Sequence, residues 1–142
     1  MSGVLYTTEI LRLAAATGSF ARLAHPSGTS EKRSPICGSR VTVDVAMGGD
    51  GRVVATGLEV RACALGQASA ALLERSAPGK SVAELELARD GLRAWLSGGA
   101  DQPPDWPGLD IFEPARAHSA RHPAILLAFD AVVEAAQAGL AA

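Results

Sequence analysis

Apolar and polar residues alternate along the middle of this chain. Val41, Val43, Val45 and Met47 are separated by Thr42 and Asp44 and preceded by Arg40, the period of two of a strand with one buried and one wet face. Gly48-Gly49-Asp50-Gly51 interrupts the run, and residues 52–62 resume it, with Leu58, Val60 and Ala62 alternating with Glu59 and Arg61. So short a connection predicts an antiparallel hairpin. Cys37 and Cys63 stand just outside the outer ends of its arms, so folding back at 48–51 brings both thiols to the same end of the sheet. At Cys63 the period changes. Leu65, Ala68, Ser69 and Leu72 recur at helical spacing, which predicts a strand running directly into a helix over 63–75 with a cysteine at the junction. A thiol there faces the free N–H groups of the helix start, where the macrodipole favours thiolate over thiol.

The remaining elements follow from similar signals. Residues 7–16 predict a short helix capped by Thr7 or Thr8, with Ile10, Leu11, Leu13 and Ala14 as its apolar stripe and Gly18 as its end. Residues 19–34 are rich in Gly, Ser and Pro, with a charged edge strand around 29–33. Ser81-Val82-Ala83-Glu84 is a capping box, followed by Leu85, Ala88, Leu92 and Trp95 on one face. Residues 98–108 predict a linker or surface loop anchored by Trp106. The final helix starts near Pro123, and Ile125, Phe129, Val132, Val133, Ala136 and Leu140 form its apolar side.

Composition narrows the class. With 142 residues, 48% hydrophobic content and a net charge of −2, the chain reads as a single folded α+β domain over 1–142, a small antiparallel sheet of about three strands against several helices. The mild acidity and scarcity of aromatics leave no electrostatic footprint for nucleic acid. Nothing approaches a transmembrane length, and the N-terminus lacks a signal-peptide pattern, so no membrane is expected and the cytoplasm is. There the two cysteines stay reduced, which argues against a structural Cys37–Cys63 disulfide.

The strings PICGSRVTVDV and RACALGQASAALL, in this order of helix, strands and helices, resemble the NifU/IscU-type iron–sulfur cluster assembly scaffold proteins. The likeness spans nearly the whole chain, and the long stretch before the last helix looks most like the SufU branch. It implies an IscU/NifU N-terminal-like fold that is not an enzyme. It also implies a cysteine desulfurase as sulfur donor, apo-protein cluster acceptors, and iron, zinc or a labile cluster such as [2Fe–2S] as what is bound. Family members hold their metal with three cysteines and an aspartate two residues after the first. Cys37 and Cys63 match the first two cysteines, Ser39 stands at the aspartate position, and Ala124 falls in the slot of the third, after a matching Arg121.

A tetrahedral site needs four donors at about 2.0–2.3 Å, so two thiolates are incomplete. His122, beside the lost position, is an acceptable substitute metal ligand, and His118 is a weaker one. Ser39 can hydrogen-bond a thiolate, and Arg121 can meet a partner or orient a ligand. Donors shared between subunits would also complete the set. Two other readings compete with the scaffold: an interaction protein of the same fold that has lost stable metal binding, and a small sulfurtransferase acting through Cys63 alone. A Cys63–His122 nucleophilic pair has no orienting Asn or Asp evident in the sequence. There is no phosphate-binding glycine loop either.

Overall fold

The computed structural model describes residues 4–35 and 38–141. Three strands, β1 (Gly28–Arg33), β2 (Arg40–Met47) and β3 (Val53–Arg61), form one antiparallel sheet in the order β1-β2-β3. Four α-helices accompany it: α1 (Thr8–Ala16), α2 (Ala64–Ser76), α3 (Val82–Leu96) and α4 (His122–Ala141). The sequence expectations for the hairpin, for the edge strand and for the existence of these helices hold, down to the Thr7 cap on α1 and the reciprocal Ser81–Glu84 capping box on α3. Leu11, however, expected on the apolar stripe of α1, is 52% exposed, because only Ile10 and Ala14 of that helix are buried.

Val41, Val43, Val45 and Leu58 are buried on the inner face of the sheet, and α4 lies across that face against β1 and β2 while also touching α2 and α3. A helix surrounded on so many sides is apolar all round, and residues 124–129 of α4 are buried without a break. The stretch Ser119–Ala141 is in fact long and apolar enough to cross a membrane, contrary to the expectation that no segment approaches that length. Its packing against the sheet and two helices accounts for the composition. Leu140 departs from the expected apolar side and is 51% exposed, one turn beyond the last covered position. Gly28 makes the helix–sheet contact close: a Cβ there would strike the Ala135 carbonyl and lie 2.6 Å from the Gly139 nitrogen. Lys32 of β1 adds an ion pair with Glu134 of α4.

The outer face of β2 is not wet, as its alternation suggested. Thr42 is buried and the Asp44 side chain is fully enclosed. The segment after α1 folds over it. The Arg22 guanidinium grips Asp44 at 2.6 and 2.9 Å, Thr29 Oγ1 donates to it at 2.6 Å, and the Leu23 N–H donates at 3.0 Å. Burial alone would raise the Asp44 carboxyl above its ordinary value, but the hydrogen bonds from Arg22, Thr29 and Leu23 and the Arg22 charge outweigh it and hold the group below.

Residues 98–121 are more ordered than a linker. Trp106 donates through Nε1 to the Leu72 carbonyl at 3.0 Å and meets Phe129 edge-on with centroids 5.2 Å apart. The chain then makes a 3-10 helix, Leu109–Ala117, that the sequence did not announce because Pro114 interrupts its periodicity. Leu109, Phe112 and Ala115 bury its inner side. Arg116 lies over the Trp95 ring and donates to the Trp95 and Ala100 carbonyls at 2.8 and 3.1 Å.

The beginnings of α2 and α4 touch. A Cβ on Gly66 would sit 2.8 Å from the Ala62 Cβ and 3.1 Å from the Ala124 carbonyl oxygen. One turn along, buried Ser69 donates from Oγ to the Ile125 carbonyl at 2.6 Å.

Two outcomes follow from these contacts. Asp44→Ala removes the buried acceptor of Arg22, Thr29 and the Leu23 N–H and is expected to cost about 2 kcal/mol in urea unfolding. Because the folded Asp44 pKa is depressed, its contribution is complete above the ordinary carboxylate value of about 3.9 and is lost as pH falls through the folded value. Asp44→Asn should therefore flatten part of the acid limb of the stability–pH curve, and an unchanged limb would contradict the assignment. Gly66→Ala is expected to cost about 2 kcal/mol by forcing the two helix mouths apart, read as a lowered midpoint in the same titration.

Candidate functional site

Cys63 occupies the N-cap of α2, with φ −64° and ψ 169°. Its extended backbone is the last step of β3 turning into the helix, and its side chain makes no capping hydrogen bond. It is a free thiol and half-buried. A serine, threonine or aspartate at such a position would satisfy the helix N–H groups itself, so sulfur here leaves them available to whatever approaches.

The register brings the other segments to the same place. Arg40, the first residue of β2, pairs with Arg61, two residues before Cys63. On its other side Arg40 pairs with Arg33, the last residue of β1. The connection over 34–39 is closed at its base by the Ser34 N–H donating to the Ser39 carbonyl at 2.9 Å, and the Gly38 N–H donates to the Ser34 carbonyl at 3.2 Å. Gly38 takes a positive φ of 73°, which suits glycine. Cys37 lies outside the described residues. Ser39 is buried, 4% exposed, at the start of β2.

From the opposite side comes the first turn of α4. Ala124 is 2% exposed, and its Cβ lies 3.6 Å from where a Gly66 Cβ would stand. The position matched to the lost cysteine thus faces the first turn of the helix that Cys63 caps. His122 begins α4 and its Nε2 is 2.9 Å from the Ala115 carbonyl oxygen. A carbonyl only accepts, so Nε2 carries the proton and Nδ1 is the nitrogen left for a ligand. Arg121, His118 and His25 are exposed. Among the described residues, no three His, Cys, Asp or Glu side chains are grouped so as to hold a metal ion.

Sequence reasoning missed two features of this region. Gly66, which lets the helix mouths meet, is one small residue among many in α2. The alignment of Arg33, Arg40 and Arg61 across all three strands becomes visible only once the register is known.

No protein-family model matches the chain, and no curated protein matches it significantly. Solved structures do. A protein assigned as iron–sulfur cluster assembly scaffold for the SUF system of Fervidobacterium islandicum AW-1 has a TM-score of 0.84 at 18% identity, covering 93% of this chain and 96% of that one. A hypothetical protein has a TM-score of 0.65 at 17% identity over 94% and 97%. At those identities the likeness concerns the fold. The nitrogen-fixing NifU-like protein (N-terminal) from Brucella abortus is 37% identical, covers 96% of this chain and 95% of its own, and superposes with a TM-score of 0.88. On that identity, over almost the whole of both chains, this protein belongs to the NifU-like family of NifU/IscU-type proteins.

Proposed function

We propose that this protein is an iron–sulfur cluster assembly scaffold that accepts sulfur from a cysteine desulfurase at Cys63 and carries iron, zinc or a nascent cluster as cargo. The observation that carries this reading is the convergence at one end of the sheet. The uncapped thiol of Cys63, the start of β2 and the first turn of α4 meet there, and these segments bear the residues matched to the family's ligands. The SUF scaffold assignment of the Fervidobacterium structure and the NifU-like relative support it.

The sulfur step needs only a thiolate with room around it. Cys63 Sγ attacks the outer sulfur of the donor's cysteine persulfide. The donor's S–S bond breaks as a new one forms on Cys63, and the donor cysteine leaves as a thiolate that takes up the proton Cys63 gave. Sulfur moves without net oxidation or reduction. For cargo, Cys37 and Cys63 supply two thiolates and His122 Nδ1 a third donor. Ser39 contributes a hydroxyl at most, and a second copy or the receiving apo-protein completes the set.

One observation favours a different reading. Ser39 and Ala124, the small residues at the matched ligand positions, are both buried. A chain that closed its site this way would keep the partner surface and give up stable metal binding.

Incubation with a cysteine desulfurase and ³⁵S-cysteine should label the wild type and Cys37→Ser but not Cys63→Ser. An unlabelled wild type would overturn the transfer step. Cargo binding is tested separately by zinc competition. Ser39→Asp with Ala124→Cys should bind about tenfold or more tightly than wild type, since each charged donor adds to affinity. Equal, weak binding by both would put the interaction-protein reading first.

A further inference from the structure

The rim of the sheet beside Cys63 carries three arginines in one row. Arg33, Arg40 and Arg61 are direct cross-strand neighbours on β1, β2 and β3, so their side chains share one face. Like charges placed directly opposite one another destabilise a sheet. One row inward on the same face stand Glu31, Thr42 and Glu59, in the same register. The carboxylates offset the row only in part. Glu31 serves two arginines, with Arg33 Nε at 2.9 Å and Arg40 Nε at 3.8 Å, and Glu59 is 3.6 Å from Arg61 Nε. Three positive charges over two negative ones leave an excess of cation at the rim of a chain whose net charge is −2.

The contacts among the described residues show which arginine atoms they use. Each closest approach is made through Nε, from the side of the row away from the rim. Among the described residues, none of the three arginines uses a terminal guanidinium nitrogen in a hydrogen bond. Those nitrogens form the edge that grips a carboxylate with two parallel bonds. The Arg33 and Arg61 side chains are 67% and 69% exposed, and Arg40 between them is 31% exposed. The three line an open depression of about 460 Å³ together with Ser34, Pro35 and Gly38. Of the lining residues, Arg61 stands two positions before Cys63 in the chain.

We propose that this arginine row is the docking site for an acidic peptide segment of the protein that exchanges sulfur or cluster with Cys63. The proposal rests on the scaffold reading for the identity of that partner, while the recognition chemistry stands on the row itself. The glutamates behind the arginines hold the guanidiniums side by side, and two or three carboxylates of an extended segment meet them in register. The acidic remainder of the chain repels the same segment, so the field directs it to this rim.

The probe is fluorescein-labelled hexaglutamate, with hexalysine as its opposite, read by anisotropy in about 50 mM salt, where surface charges are weakly screened. All proteins carry Cys63→Ser, so a failure of sulfur or metal chemistry cannot affect the result. Hexaglutamate should bind, and Arg33→Gln with Arg61→Gln should weaken it at least tenfold without changing the melting temperature. Arg12→Gln with Arg75→Gln removes the same charge from the groove between α1 and α2 and should change binding less than twofold. Equal weakening by the two pairs, or no binding to the parent protein, would overturn the proposal. Displacement of hexaglutamate by equimolar inorganic phosphate would also overturn it, by showing a pocket for a small oxyanion instead of a peptide.

Discussion

The close meeting of α2 and α4 governs this molecule's functional end. Two helix N-termini repel where their dipoles converge, so something must hold them together. Here it is the missing side chain of Gly66 and the bond from Ser69 Oγ to the Ile125 carbonyl. That carbonyl sits inside α4, where its second lone pair can accept the serine without disturbing the helix ladder. The bond is fully buried, and breaking it would leave a hydroxyl without water or partner. Because α4 is also wedged against β1 at Gly28, position 124 is placed relative to Cys63 by contacts at both ends of one rigid rod.

The sheet is fastened from its other side by a polar lock. A carboxylate with no exposure survives in β2 because three donors converge on Asp44, two of them from the segment that crosses the outer face. An isolated buried charge would cost far more than packing there could return. Covering this face with a short irregular segment instead of a helix leaves the rim of the sheet open at Arg33, Arg40 and Arg61. The lock thus restricts access to the middle of the outer face and leaves its thiol-bearing end exposed.

Much of the fold was legible because its signals are local. The alternation over 40–62, the glycine turn at 48–51 and the capping box at Ser81 each state an element without reference to the rest of the chain. What could not be read depends on pairs distant in sequence. Asp44 looked solvent-facing because nothing in its strand reveals that Arg22 lies above it. The 3-10 helix over 109–117 was hidden because Leu109, Phe112 and Ala115 recur every three residues, off the period of an α-helix, and Pro114 interrupts the segment. Of the site, the strand-to-helix junction at Cys63 was explicit in the sequence. The lining of the rim by arginines was not, since it needs the register of two hairpins at once. His122 was read as a substitute ligand from its place in the chain, whereas its Nε2 bond to Ala115 comes from that unannounced 3-10 helix.

The two buried small residues at matched ligand positions bear on how a scaffold of this kind would let go of its cargo. A cluster gripped by four donors of one chain is held firmly, and each thiolate must be displaced before it leaves. With Ala124 packed on Gly66 and Ser39 buried at the strand start, the first turn of α4 offers no thiolate from within this chain. Under the proposed function, a cargo would then keep coordination positions for another molecule to fill. Recognition of that molecule would, under the same function, become part of holding the metal, and the arginine row that ends at Arg61, two positions before Cys63 in the chain, is where it would act. On this view the chain trades affinity of its own for dependence on a partner. Adding ligands back would then strengthen binding while slowing handover, two effects that a donor-rich site cannot separate.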